Sequence, residues 1–389
     1  MSECLITGCD KQRSFTTDQI IDLPLKTKWK TRIQGFIGSP VITTDKILFS
    51  TPSRGQAKMI PGLCALDRTK GKMLWELPLD QYCNVPILKV PDEKYRVVQD
   101  FLCYSEERIF IYDGFELHSV DAATGEILWK VRHSEFGEQK GEILHGMLFH
   151  DGTLYVNAFS SICAIDPING ALIETFEAVH PKGISLYNNR LYYADLGWGG
   201  RTSYLYCLDI VSRQLIWKTE ISKLGEYVTH DNQLRTGGAA SPFPVISQGR
   251  IYMSLGSYLA CFDIESGECL WKTLEHFIRQ PVSDGQKLYG FDGHQLRCFD
   301  ANSGELIYET EEVPFGSYAA QNIPLLAGKT LFVGTVGYLY AFDTETGKRV
   351  WEFSTGKKSG GFVSQPVLLD GCLYAGDSLG HFYCFVPQK

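Results

Sequence analysis

One short frame, Asp-x3-Gly-x3-Trp, recurs along this chain and constrains its fold more than any other feature. It stands complete at Asp67, Gly71 and Trp75, at Asp121, Gly125 and Trp129, at Asp263, Gly267 and Trp271, and at Asp343, Gly347 and Trp351. Three further copies depart from it at one place each: Asp166, Gly170 and Glu174; Asp209, Arg213 and Trp217; Asp300, Gly304 and Tyr308. Consecutive aspartates lie 37 to 54 residues apart, and a repeat of that size marks a solenoid or a propeller. The length of 389 residues, which alone would suggest two or three domains, then counts repeats instead.

Each copy reads as strands. A β-rich stretch such as Leu154-Tyr155-Val156, Ile251-Tyr252-Met253 or Leu373-Tyr374-Ala375 follows a turn-forming pair, Asp151-Gly152, Gln248-Gly249 or Asp370-Gly371,. Upstream comes a Pro-Val or Pro-Leu step, at Pro40-Val41, Pro244-Val245, Pro281-Val282, Pro324-Leu325 and Pro366-Val367. Four short strands per unit and no sustained helical period give an all-β propeller of four-stranded blades. The last unit stops at Tyr383-Cys384-Phe385-Val386 without its Gly turn and Trp strand, and Trp29-Lys30-Thr31 matches Trp217-Lys218-Thr219. The N-terminal strand is therefore expected to complete the C-terminal blade, closing the ring at eight blades and removing an open sheet edge. The expected organisation is a flexible tail over 1–27 and one eight-bladed propeller over 28–389.

Composition narrows the function. Lys and Arg number 37 against 45 Asp and Glu, for a net charge of −8, and no long basic run gives the footprint of a nucleic-acid binder. No run of about 18 apolar residues is present to span a bilayer as a helix. The twelve cysteines form no CxxC pair. Cys207, Cys261, Cys298 and Cys384 share one repeat position with Ala65, Ser119, Ala164 and Ala341, so cysteine is expected there as a small buried filler. Most thiols are read as reduced, which favours the cytoplasm. Against this, Leu5-Ile6-Thr7-Gly8-Cys9 resembles a lipobox, whose cysteine is acylated; a start site further upstream would make the chain a periplasmic lipoprotein anchored through Cys9.

The frame seen in Asp121-Ala122-Ala123-Thr124-Gly125-Glu126-Ile127-Leu128-Trp129 resembles the tryptophan-docking motif of the quinoprotein-like (PQQ-like repeat) eight-bladed β-propellers, over roughly 28–389. The resemblance implies that Trp29, Trp75, Trp129, Trp217, Trp271 and Trp351 each pack against a neighbouring blade, and that Glu174 and Tyr308 make different contacts. It implies two kinds of activity. Some members are oxidoreductases that bind pyrroloquinoline quinone (PQQ) and calcium, with a ring between adjacent cysteines over the cofactor; this chain has no Cys-Cys pair, and no cofactor is expected. Others are non-catalytic scaffolds, among them the lipoprotein of the outer-membrane assembly machinery.

Other chemistry finds little support. Gly376-Asp377-Ser378-Leu379-Gly380 fits Gly-x-Ser-x-Gly, but a nucleophile elbow needs a helix after it, and here a strand follows. His145 and His150 are five apart, on opposite faces of a strand, so no catalytic or metal-binding residue is expected. Function is sought instead in the loops. The two 54-residue intervals carry their excess at 79–100 and 224–240, and Trp198 is the one tryptophan outside the frame. Trp and Arg are enriched at binding hot spots. Trp198, Arg201, Tyr227, His230 and Arg235 are therefore expected to form a surface by which a monomeric scaffold binds a protein partner.

Overall fold

The computed structural model describes residues 3–33, 37–51, 62–79, 102–112, 116–136, 146–158, 160–178, 180–195, 202–228, 234–235, 237–239, 241, 243–274, 280–291, 295–313, 323–356, 361–362 and 364–388. Its strands form eight sheets, each built on a four-stranded antiparallel meander, which are the blades of a propeller. Blades 1 to 7 span 41–78, 103–131, 147–177, 185–220, 245–274, 282–309 and 325–354. Blade 8 takes three strands from 367–387, and its fourth is Leu25–Arg32, paired antiparallel with His381–Pro387. The chain thus closes its own ring, as the truncated last repeat required.

First strands of adjacent blades touch one another, as Cys103–Ser105 does Met147–His150 and Val245–Ser247 does Val282–Ser283, so they line the central channel. In every blade the turns after the first and third strands share one end of the propeller, here called the turn end. The connections after the second and fourth strands share the other, the loop end. The turn-end pairs are tight. Asp151 and Gly152, Gln248 and Gly249, and Asp370 and Gly371 all have positive φ at both positions, the geometry of a type I′ hairpin that matches strand twist.

The core lies between the blades. Second and third strands are almost wholly buried, as in Leu191–Ala194 and Leu205–Leu208, whereas the outermost strands alternate half-buried with exposed residues. The small-residue position has a clear cause. Ala65 lies opposite Trp75, Ser119 opposite Trp129, Cys207 opposite Trp217, Cys261 opposite Trp271, Ala341 opposite Trp351 and Cys384 opposite Trp29. A larger side chain there would meet the cross-strand indole.

The N-terminal segment corrects the expectation of a flexible tail over 1–27. Residues 3–24 run across the channel from the turn end, with Phe15 and the Arg13 side chain wholly buried. Cys4 exchanges backbone bonds of 2.7 Å with Ile42 of blade 1, and Ile6 bridges Cys103 of blade 2. The carbonyls of Lys11, Gln12 and Phe15 accept from Leu186, Ile246 and Leu326, in blades 4, 5 and 7. Thr16–Thr17 adds a parallel fifth strand to blade 7. These are backbone bonds to inner-strand groups that would otherwise be orphaned, so they demand no side-chain pattern. The reading of Cys9 as a free or acylated thiol also changes, because Cys9 is disulfide-bonded to Cys4.

Candidate functional site: the blade seams, the channel and the loop end

The repeat frame builds the seams. Asp121 Oδ1 accepts from the backbone N–H of Ala123 and Thr124 and from the Thr124 hydroxyl, while Gly125 N–H returns to the Asp121 carbonyl. This Asx turn forces Gly125 to φ +77 and leaves its Cα bare,. The indole of the preceding blade lies on that bare face. A Cβ on Gly125 would stand 2.8 Å from Trp75, one on Gly267 2.5 Å from Trp217, and one on Gly304 2.5 Å from Trp271. Trp75, Trp129 and Trp271 then donate Nε1–H to the carbonyls of Ala122, Pro167 and Ala301, the residue after the next blade's aspartate. Trp351 donates to Leu25, across the ring closure. Trp29 and Trp217 pack on Gly71 and Gly267 with Nε1 buried and without a hydrogen-bond partner among the described residues. In both blades a threonine two residues on, Thr31 or Thr219, donates its hydroxyl to that glycine's carbonyl instead.

The three departures, which fall in two seams, are made good. Tyr308 lies on Gly347 and donates its hydroxyl to Thr344, 2.8 Å away, in the place of an indole. Arg213 fills the glycine slot at φ +60, where its Cβ leaves no room for a tryptophan. Its partner position is Glu174, whose carboxylate meets the guanidinium at 3.3 Å.

In the channel the Arg13 guanidinium donates to three carbonyls: Thr7, Ile184 at 3.2 Å and Met147 at 2.9 Å. It lies 4.4 Å from the centre of the Phe243 ring. Burial draws its pKa down to about 10. Gly376–Gly380 is the hairpin turn that the following strand implied. Ser378 Oγ accepts from Gly361 N–H, and buried Asp377 accepts from the His381 ring and the Tyr383 hydroxyl. No bond joins Ser378 to His381 among the described residues. His150 contacts Lys11 Nζ and Asn189 Oδ1; His145 lies outside the described residues. Among the described residues, no three His, Cys, Asp or Glu side chains are grouped to hold a metal.

Trp198, Arg201 and His230 lie outside the described residues. Tyr227 and Arg235 are backbone partners in a small hairpin, Tyr227–Val228 with Leu234–Arg235, inserted between blades 4 and 5. The hairpin's base is fixed where Gly225 and Gly237 meet so closely that a Cβ on Gly237 would lie 2.2 Å from Gly225. Ala194 and Glu220, which end the second and fourth strands of blade 4, both lie at the loop end. One site escaped sequence reading. The Cys372 thiol is drawn down by a hydrogen bond from Cys384, aided by Lys28, Tyr374 and Arg68 and opposed by burial.

A family model described as outer membrane protein assembly factor BamB matches residues 63–310 and 292–386. The chain belongs to the BamB family. The assembly factor of Yersinia pestis is 22% identical over 332 residues, which cover 82% of this chain and 79% of that protein. The crystal structure of BamB from Moraxella catarrhalis superposes with a TM-score of 0.65 at 14% identity, covering 94% of this chain and 98% of that one. The quinohemoprotein alcohol dehydrogenase of Comamonas testosteroni reaches 0.73 at 12% identity, covering 100% of this chain and 82% of its own. At such identities the structural likeness is one of fold, shared by BamB proteins and dehydrogenases alike. No described helix is long and apolar enough to cross a membrane.

Proposed function

We propose that this member of the BamB family is a scaffold without chemistry of its own, which holds a protein partner through the connections of the loop end. The observation that carries this reading is the N-terminal segment. It spends the inner-strand groups of five blades on the chain's own backbone, in the channel where a propeller otherwise receives a small ligand. The loop end, with its two lengthened connections, remains for recognition. Trp198, Arg201, Tyr227, His230 and Arg235 supply aromatic and cationic groups of the kind that anchor protein interfaces. Relatives named for outer-membrane assembly, and a Cys4–Cys9 disulfide of a kind that persists in oxidising compartments, favour a periplasmic setting over the cytoplasmic one. Lipid attachment at Cys9 and this disulfide exclude each other, since both need the same sulfur.

The fold likeness to an alcohol dehydrogenase favours a second reading, a PQQ- and calcium-dependent oxidoreductase. The residues do not fit it. Adjacent cysteines are absent from the sequence, and the buried carboxylates Asp195 and Asp377 are taken by the hydroxyls of Tyr206 and Tyr383. Two measurements separate the readings. Trp198→Ala combined with Arg201→Ala should fold normally and lose a partner that the wild type retains from its source lysate; equal retention rejects the surface. Calorimetric titration with PQQ and Ca2+ should give no saturable heat, and stoichiometric binding would favour the enzyme.

A further inference from the structure

The first turn of the N-terminal segment is a loop closed by its own cross-link. Cys4 and Cys9 are bonded, with Cα atoms 4.4 Å apart, and the residues between them reach three blades at once. Cys4 pairs with Ile42 in blade 1, Leu5 accepts from Tyr104 of blade 2 at 3.1 Å, and Gly8 N–H donates to Gln365 Oε1 beside blade 8, at 2.9 Å. The Thr7 carbonyl accepts from Arg13, whose other bonds run to Met147 and Ile184 at blades 3 and 4. The loop therefore holds the buried guanidinium in place as well as its own contacts. Its backbone is strained at Cys9, a residue with a Cβ held at φ +60,. A cross-link lowers the entropic cost of ordering such a loop, by about 2 kcal/mol for one this short. Beyond it the anchoring changes character, because Thr16–Thr17 is held to Leu326–Ala327 as a strand.

We infer that the Cys4–Cys9 disulfide is a redox latch on this plug, and that a dithiol reductant opens the channel at blades 1 and 2 while the chain stays tethered at blade 7. Cys4 is fully buried, whereas Cys9 is partly exposed, so the reductant's thiolate attacks Cys9 Sγ and Cys4 departs as the thiolate, taking up a proton. The reductant's second thiolate then displaces Cys9, leaving two protein thiols and one reductant disulfide. Two electrons and two protons pass from the dithiol to the protein. With the cross-link gone, the loop loses the constraint that presents Thr7 to Arg13. The guanidinium then keeps two of its three acceptors, a costly state for a buried cation.

The test is hydrogen exchange on the intact chain, air-oxidised, treated with dithiothreitol, and as the Cys9→Ser variant. Peptides containing Cys4, Ile42 and Tyr104 should exchange faster by about tenfold or more in the reduced and variant forms. Those containing Leu326 and Gly328, which the later part of the segment holds, should not change. Equal exchange in the oxidised and reduced chain overturns the latch, as does finding both thiols free in the air-oxidised protein. The dithiothreitol arm needs no variant, so a folding defect in Cys9→Ser does not decide the outcome.

Discussion

At the scale of single residues, the seams show why the frame tolerates some departures and not others. A glycine at positive φ and the indole above it are one unit, because any Cβ at the glycine occupies the space of the ring. Gly304→Ala, with its Cβ 2.5 Å from Trp271, should cost about 3 kcal/mol by denaturant unfolding. The blade 3–4 seam solves the same problem by changing both members. Glu174→Trp alone should destabilise, and adding Arg213→Gly should restore stability, with a coupling of about 1–3 kcal/mol in a double-mutant cycle; additive effects would deny that the two positions form a unit. The turn aspartates carry a pH dependence. Hydrogen bonds from the turn's Ser or Thr hold Asp67, Asp121, Asp209, Asp263, Asp300 and Asp343 below the ordinary 3.8. A depressed folded-state pKa adds stability above the unfolded value and loses it as pH falls through the folded one. The melting temperature should therefore be insensitive to these groups near neutrality and drop below about pH 4; a temperature that stays level through pH 3 would contradict this. Cys372, drawn down by Cys384, should be alkylated by iodoacetamide ahead of buried Cys64 and Cys261, whose thiols burial pushes up to about 12.

At the scale of elements, the blades were legible because each repeats a chemical requirement: an Asx turn, a glycine, an indole and a small residue facing it. Ring closure was legible for the same reason, since Trp29-Lys30-Thr31 answers the strand missing after Phe385. Its Trp351 donates to Leu25 across the closure, so Trp351→Ala should cost about 3–5 kcal/mol. The plug was not legible. Residues 3–24 bind chiefly through their own carbonyls and N–H groups, which every residue type offers, and their one decisive side chain, Arg13, looks in sequence like any surface arginine. The coupling of Arg213 with Glu174 could have been found, since a filled glycine slot one repeat after a lost tryptophan is visible in the alignment of copies. Of the proposed partner surface, the sequence showed the residue types, and the fold adds that their two connections leave blade 4 at the same end.

At the scale of the whole molecule, the propeller has two unlike ends. Its turn end is closed by short hairpins and by the chain's own N-terminal segment, whereas Pro78 and Glu220, the strand ends that precede the two lengthened intervals, lie at the loop end. On the proposed reading, recognition belongs to the loop end. The most direct measurement is quantitative capture from the source lysate with three baits: wild type, Trp198→Ala with Arg201→Ala at the loop end, and Ile168→Ser with Val211→Ser at exposed positions of the turn end. A partner should be retained by the wild type and by the turn-end variant and lost by the loop-end variant. A partner lost by the turn-end variant and kept by the loop-end variant would contradict it.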